Sequence, residues 1–227
     1  MREIILDTET TGLSPNDGHR IIEIGCVELF NCVPTGRTFQ CYINPERDVP
    51  PQSTAITGLT TEFLKPFPVF SKVVDDFLDF IQDDQLVIHN AKFDLTFLNF
   101  ELSRLGLAVL PQSRAVDTLL IARQKFPGSP ASLDALCKRF NVDLGKRNKH
   151  GALLDSELLA IVYLELLGGR QRTLAMESSR DGPAAETVEI GTKHVKRAAR
   201  IFEIFDEEAK AHKEFLGQIK NPLWSQY

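Results

Sequence analysis

The first hydrophobic stretch of the chain, Ile4-Ile5-Leu6, runs without a break into Asp7-Thr8-Glu9-Thr10-Thr11-Gly12. The pattern predicts a β-strand that ends in a glycine turn. Side chains alternate faces along a strand, so Asp7 and Glu9 share one face while Leu6 and Thr8 share the other. Residues 20–31 are again β-rich, Pro34-Thr35-Gly36 reads as a turn, and residues 38–43 read as a returning strand. Together they predict an antiparallel meander built on the first strand. Residues 50–60 read as loop with one helical turn. Pro66 and Pro68 mark a break before residues 70–82, where Val73, Val74, Phe77, Leu78 and Ile81 recur at helical spacing. Residues 86–89 are a short apolar strand, and Asn90 is placed to cap a helix that runs to about Leu105, with Gly106 as its stop. A strand edge at 115–118 leads into a helix ending near Phe126-Pro127-Gly128. Further helices are predicted over 133–140, started by Ser132, and over 152–167, stopped by Gly168-Gly169. A meander followed by alternating strands and helices predicts an α/β fold with a mixed sheet between helices.

Beyond Gly169 the apolar period is lost. Glu177-Ser178-Ser179-Arg180-Asp181-Gly182-Pro183-Ala184 reads as flexible linker. Helix-like spacing returns with Ile201, Phe202, Ile204, Phe205, Phe215, Leu216 and Ile219, and Trp224 lies near the end of the sequence. The predicted organisation is a domain over 1–172, a linker over 173–190 and a C-terminal segment over 191–227. That segment is too short to bury a core of its own. An apolar, aromatic segment beyond a linker suits docking onto a partner, the alternative being that it folds back onto the first domain.

Composition narrows the function classes. Lys and Arg number 26 against 31 Asp and Glu, a net charge of −5, which argues against gripping nucleic acid by bulk electrostatics. It leaves open contact with a nucleic-acid end through metal ions. Cys26, Cys32, Cys41 and Cys137 form no Cys-x-x-Cys pair, and Met1-Arg2-Glu3 leads at once into a strand with no apolar leader. These features, with no apolar run of membrane-span length, fit free thiols in a reducing cytoplasm and no membrane association.

Candidate chemistry lies in the acids. Two carboxylates side by side on an apolar strand repel each other and lose hydration, so a hard divalent cation such as Mg²⁺ or Mn²⁺ is their natural partner. An acid at a strand end also serves as a turn residue or helix cap. Asp94 follows Asn90 by one helical turn and shares a face with Phe97, Leu98 and Leu105, which points it to the core. Helix-dipole stabilisation accounts for an acid in that turn but not for its apolar side. Asp155 lies on a leucine face with Leu158, Leu159 and Val162, an expensive place for a charge unless it is paired or metal-bound. His150 precedes that helix, next to the basic stretch Lys146-Arg147-Asn148-Lys149, and is a candidate general base.

Asp7-x-Glu9, Asn90-x-x-x-Asp94 and His150-x-x-x-x-Asp155, in this order on strand, helix and helix, resemble the three exonuclease motifs of the DEDDh family. Leu6 to Gly12, Arg20 to Gly25, Leu86 to Asp94, Phe126-Pro127-Gly128, Ser132 to Cys137 and His150 to Gly169 further resemble the proofreading (epsilon) subunits of bacterial DNA polymerase III. The resemblance covers residues 3–172; the tail is similar in layout more than in residues.

What the resemblance implies is a ribonuclease-H-like α/β fold, a five-stranded mixed sheet with flanking helices, and hydrolysis assisted by two divalent cations. Asp7, Glu9 and Asp155 would hold the nucleophile-side ion. Asp7 would bridge to the second, Asp94 would act on it through water, and His150 would deprotonate the attacking water. The substrate would be the 3′ end of primer-template DNA, contacted by Asp7, Glu9, Asp155, Thr8, Thr10, Gly12, Asn90, and Gln52 and Thr57 of the 52–59 segment. There the sequence departs from the family, which carries an acid where Gln52 stands and a histidine where Thr57 stands. Gln171-Arg172-Thr173-Leu174-Ala175-Met176 resembles a sliding-clamp-binding peptide, with Gln171, Leu174 and Met176 as its anchors; the same Leu174 and Met176 would also serve to finish the packing of the preceding helix. Phe202, Phe205, Phe215, Leu223 and Trp224 would dock the polymerase alpha (catalytic) subunit, and a small accessory subunit is a further partner left open. Three alternatives stand beside this: a free-standing enzyme of the same fold that trims RNA or short oligonucleotides, a non-catalytic adaptor of the replication machinery, and a metal-dependent phosphatase of small molecules.

Overall fold

The computed structural model describes residues 1–143, 150–168 and 205–218. The chain divides into two units, Met1–Ala175 and Met176–Tyr227. In the first, β1 (Arg2–Thr10), β2 (Ile21–Phe30) and β3 (Val33–Tyr42) form the meander, and β4 (Gln85–Ile88) and β5 (Ala115–Asp117) extend it into a five-stranded sheet of order β3-β2-β1-β4-β5. β1 runs antiparallel to β2 and parallel to β4. The helices are α1 (Pro51–Thr57), α2 (Thr61–Leu64), α3 (Phe70–Ile81), α4 (Ala91–Arg104), α5 (Thr118–Lys125), α6 (Leu133–Arg139) and α7 (Ala152–Leu166). The second unit contributes α8 (Asp206–Gln218), with Phe205 and Phe215 exposed. Gln171, Leu174, Met176, Phe202, Leu223 and Trp224 lie outside the described residues. Among the described residues no helix is long and apolar enough to cross a membrane.

Strand alternation sorts the core into layers. Ile4 and Leu6 of β1 pack with Phe77 of α3 and Leu98 of α4, whereas Ile5 packs with Leu159 and Tyr163 of α7. Asp7 and Glu9, two and four residues after Ile5, therefore belong to the α7 face, and Thr8 to the α4 face. A third cluster ties α7 to α5 and α6 through Leu158, Val162, Ala122 and Leu136. Two bonds fix α7 on the sheet: the Ser156 hydroxyl donates to Gly25 O at 2.9 Å, and the Tyr163 hydroxyl donates to Glu3 at 2.7 Å.

Three local readings are corrected. The β2–β3 turn is Asn31-Cys32, both at positive φ, and not Pro34-Thr35-Gly36, which lies within β3 at a register shift. A two-residue hairpin with both φ positive matches the strand twist, and Asn tolerates it. The stretch read as loop over 50–60 carries helix α1, which Gly58 ends in the left-handed conformation with its N–H on Thr54 O. Asn90 occupies the cap position of α4 but makes no capping bond with its side chain. Asp117 does that work: its carboxylate accepts from the N–H groups of Asn90 at 3.1 Å and Ala91 at 3.2 Å, and from Leu119 at 2.9 Å at the start of α5. One carboxylate thus caps two helices. Asp117→Ala is expected to cost about 2 kcal/mol, two caps' worth. A urea titration checks it, with the midpoint falling at constant slope.

Candidate active site

β4 pairs with β1 only as far as Ile5↔Val87, so from Asp7 onward β1 has no neighbour on that side. The acids gather at this notch, at the carboxyl ends of parallel strands, where open α/β sheets bind ligands. Asp94 enters from α4 and takes the place of a ladder partner: its Oδ1 accepts from the Thr8 N–H at 3.0 Å and the Thr8 hydroxyl at 2.7 Å. On the opposite face, α7 brings Asp155. His150 Nδ1 lies 3.0 Å from Asp155 Oδ2, and the His150 N–H donates to Ile56 O of α1 at 3.1 Å. Glu9, His150 and Asp155 each offer a ligand atom within 4.8 Å of one another.

Electrostatics mark the same point. Burial, then the charges of Asp94, Glu9, Asp155 and Glu23, raise the Asp7 carboxyl well above its ordinary range. Burial pushes Asp94 up to about 7, against the two Thr8 bonds that favour its ionised form. Converging carboxylates whose ionisation is suppressed for want of positive charge are a donor set that fits a hard divalent cation.

Asp94 is raised from 3.8 to about 7, so across that window the folded protein holds a proton that the unfolded chain has lost. The resulting stability is full below the lower value and is lost as pH rises through about 7. The melting temperature of EDTA-treated protein is expected to fall between about pH 4 and pH 7 more steeply than that of Asp94→Asn, whose amide oxygen still accepts from Thr8. Parallel slopes for the two proteins would remove the assignment.

A cleft of about 530 Å³ opens beside the acids, lined by Thr8, Glu9, Gly12, Gln52, Thr57 and Phe93 among others. Gln52 is exposed at its wall. Thr10 and Thr57 reach it too, but their hydroxyls are engaged internally, Thr10 donating to Gly12 O at 2.7 Å and Thr57 to Ser53 O at 3.0 Å. Gly12 lies so close to the His19 ring that a Cβ would collide with it. Asn90 is exposed and lines a smaller neighbouring cavity with Lys92 and Phe93.

Sequence comparison decides the family. DNA polymerase III subunit epsilon of Rickettsia felis is 52% identical over 226 residues, spanning 96% of this chain and 97% of that protein. The chain belongs to the DNA polymerase III epsilon-subunit family. The Escherichia coli (strain K12) epsilon subunit is 41% identical over 230 residues, covering 96% of this chain and 93% of its own length. The exonuclease (RNase_T) family matches residues 4–163. Among solved structures, the nuclease domain of 3′hExo, a DEDDh family member bound to rAMP, aligns with a TM-score of 0.64 at 23% identity, over 73% of this chain and 91% of that one. Exonuclease X in complex with 5′ overhanging duplex DNA aligns with a TM-score of 0.58 at 24% identity, over 73% and 90%. The sheet and its flanking helices are the ribonuclease-H-like fold of these nucleases.

The structure brings Asp7, Glu9, Asp94, His150 and Asp155 to one notch. Glu23 and Gly25 of β2 escaped the sequence reading. They are the cross-strand partners of Glu9 and Asp7. An acid two residues before a glycine within the apolar run Ile21-Ile22-Glu23-Ile24-Gly25 was the available signal. A Cβ on Gly25 would collide with the backbone of Ala152 and Leu153, so only glycine lets the start of α7 approach this closely.

Proposed function

We propose that the protein removes mismatched nucleotides from the 3′ end of a DNA primer as 5′-monophosphates, as the proofreading 3′→5′ exonuclease of a replicative DNA polymerase III. The observation that carries this reading is the meeting of Asp7, Glu9 and Asp155 with a histidine bonded to Asp155, in a chain of the epsilon family. Asp7, Glu9 and Asp155 would hold one Mg²⁺ or Mn²⁺, and Asp7 with Asp94 a second. Bound there, such ions would supply the positive charge that admits a phosphate to this acidic cluster and would stabilise the attacking and leaving oxygens.

The chain's own groups do the rest. A carboxylate can only accept, so Asp155 holds the hydrogen on His150 Nδ1 and leaves the Nε2 lone pair to take a proton from the attacking water. Thr8 holds Asp94 in place through its N–H and hydroxyl. The cleft between β1 and α1 seats the terminal nucleotide, with Thr8, Thr10, Gly12, Gln52 and Thr57 along its wall and Asn90 at the adjoining cavity. Since Thr10 and Thr57 spend their hydroxyl hydrogens internally, their hydroxyls meet substrate as acceptors.

With a net charge of −5 giving little electrostatic grip on DNA, tethering supplies the local concentration of primer ends. Residues 191–227 dock the alpha subunit, residues 173–190 link, and Gln171, Leu174 and Met176 engage the sliding clamp, all in the cytoplasm. Deleting residues 185–227 is expected to leave activity on free single strands intact and to abolish co-purification with alpha; persistence of the complex would remove the tail assignment. The reaction itself is tested on a 3′-mismatched primer in Mg²⁺. Release of 5′-mononucleotides that stops with EDTA and in His150→Ala is expected. Release from RNA oligonucleotides alone would point instead to the RNA-trimming enzymes of this fold.

A further inference from the structure

We infer that Glu23 is a positioning residue for this reaction, holding the N-terminus of α7 at the height on the sheet that places Asp155 and His150 in the site. The inference rests on the exonuclease reading for its consequence, and on the following geometry for its substance. A helix begins with N–H groups that have no partner of their own. At the start of α7 the cap position is Gly151, which has no side chain to offer. Glu23 brings an acceptor to this end from another element: its carboxylate faces the first backbone N–H groups of α7, where the helix dipole favours negative charge, and these offset part of the rise that burial gives its carboxyl. Its Oε2 would lie 3.9 Å from a Cβ built on Gly151, close to where a cap side chain would be.

The other oxygen is fixed from the far side, since Gln40 Nε2 of β3 donates to Glu23 Oε1 at 2.8 Å. Glu23 is only 2% exposed, so the Gln40 amide and the start of α7 are what it has in place of water. Beside it, glycine at position 25 brings the first turn of α7 down onto β2, and Ser156 bonds Gly25 O. Asp155 sits on that turn, one residue before Ser156, and His150 immediately precedes Gly151.

An acid is a costly choice for a simple cap. Glu23 faces Glu9 across the strands and adds its charge to Asp7, repulsions that a neutral acceptor would avoid. What a shorter neutral side chain on β2 lacks is the reach from the strand to the start of α7. Partners that orient ligand-bearing elements typically change metal affinity or activity by about 10–100-fold when removed.

The full-length protein tests this with Glu23→Ala and Glu23→Gln. Three quantities are read: Mn²⁺ affinity in the absence of DNA from the EPR signal of free Mn²⁺, kcat and KM on a single-stranded oligonucleotide, and the melting temperature. Glu23→Ala is expected to weaken Mn²⁺ binding and lower kcat, each by about 10–100-fold. KM should stay within about twofold, because the cleft wall is built by β1 and α1. Glu23→Gln keeps an acceptor oxygen for the helix and is expected to recover most of both losses. Wild-type kcat and Mn²⁺ affinity in Glu23→Ala would overturn the inference, as would a rise in KM alone. Should the alanine variant not fold, a stable Glu23→Gln protein with an equally deep loss would overturn it too. Weaker Mn²⁺ binding in Glu23→Ala beside a wild type inactive on DNA would uphold the positioning and remove the exonuclease reading instead.

Discussion

Asp155→Asn is expected to slow mononucleotide release by about 10³-fold while leaving the metal-free protein as stable as the wild type or more so. Activity falls because one carboxylate serves two ends. It belongs to the donor set with Glu9, and it orients the His150 ring through the 3.0 Å bond to Nδ1. Stability does not fall with it, because Asp155 is buried on a face shared with Leu158 and Leu159, next to Asp7 and Glu23. Removing a negative charge from such a cluster relieves repulsion, and the amide keeps the shape. Side-by-side kcat and melting curves without metal check both halves. A variant that lost activity only by unfolding would place Asp155 among structural acids.

Gly25→Ala is expected to cost about 10²-fold in kcat together with about 1–3 kcal/mol of stability. The added methyl has nowhere to go. It would collide with the Ala152 carbonyl carbon and the Leu153 nitrogen, which are backbone atoms and cannot rotate away. The first turn of α7 must lift, and Asp155 and His150 lift with it while Asp7 and Glu9 stay on β1. A displacement of the order of 1 Å in catalytic geometry is enough for a loss of this size. Denaturant titration separates the two effects, since the remaining folded fraction can be assayed directly. Wild-type turnover in the folded fraction would show that α7 tolerates a different height.

Much of this was legible in the sequence, and for identifiable reasons. The period-two alternation of β1 places Asp7 and Glu9 on one face, and the structure confirms the face by packing Ile5 against α7. Asp155 stood out as an acid on a leucine face, and its neighbours Leu158, Leu159 and Val162 are buried. Less legible were features set by contacts distant in sequence. Asn90 has the right residue type for a cap, yet Asp117 caps α4 because β5 runs beside β4 and ends at the same level. The Thr8 N–H finds Asp94 only because β4 stops short, which no local pattern encodes. The Asn31-Cys32 turn was misplaced because Pro34 and Gly36 are stronger turn formers locally; strand pairing overrode them. Glu23 was hidden because an acid in a strand reads as an outward-facing residue unless the helix that will cover it is known.

The way α7 is fastened has a consequence for biosynthesis. Its bonds to the sheet reach back 131 residues from Ser156 to Gly25 and 160 residues from Tyr163 to Glu3. Contacts of such long sequence separation form late, because closing the intervening chain is entropically costly. A nascent chain emerging from the ribosome carries Asp7, Glu9 and Asp94 well before α7 exists. Such a fragment has neither Asp155 nor His150, and it lacks the helix that covers one face of its sheet. The acidic cluster and the core are therefore completed in the same step, when α7 docks.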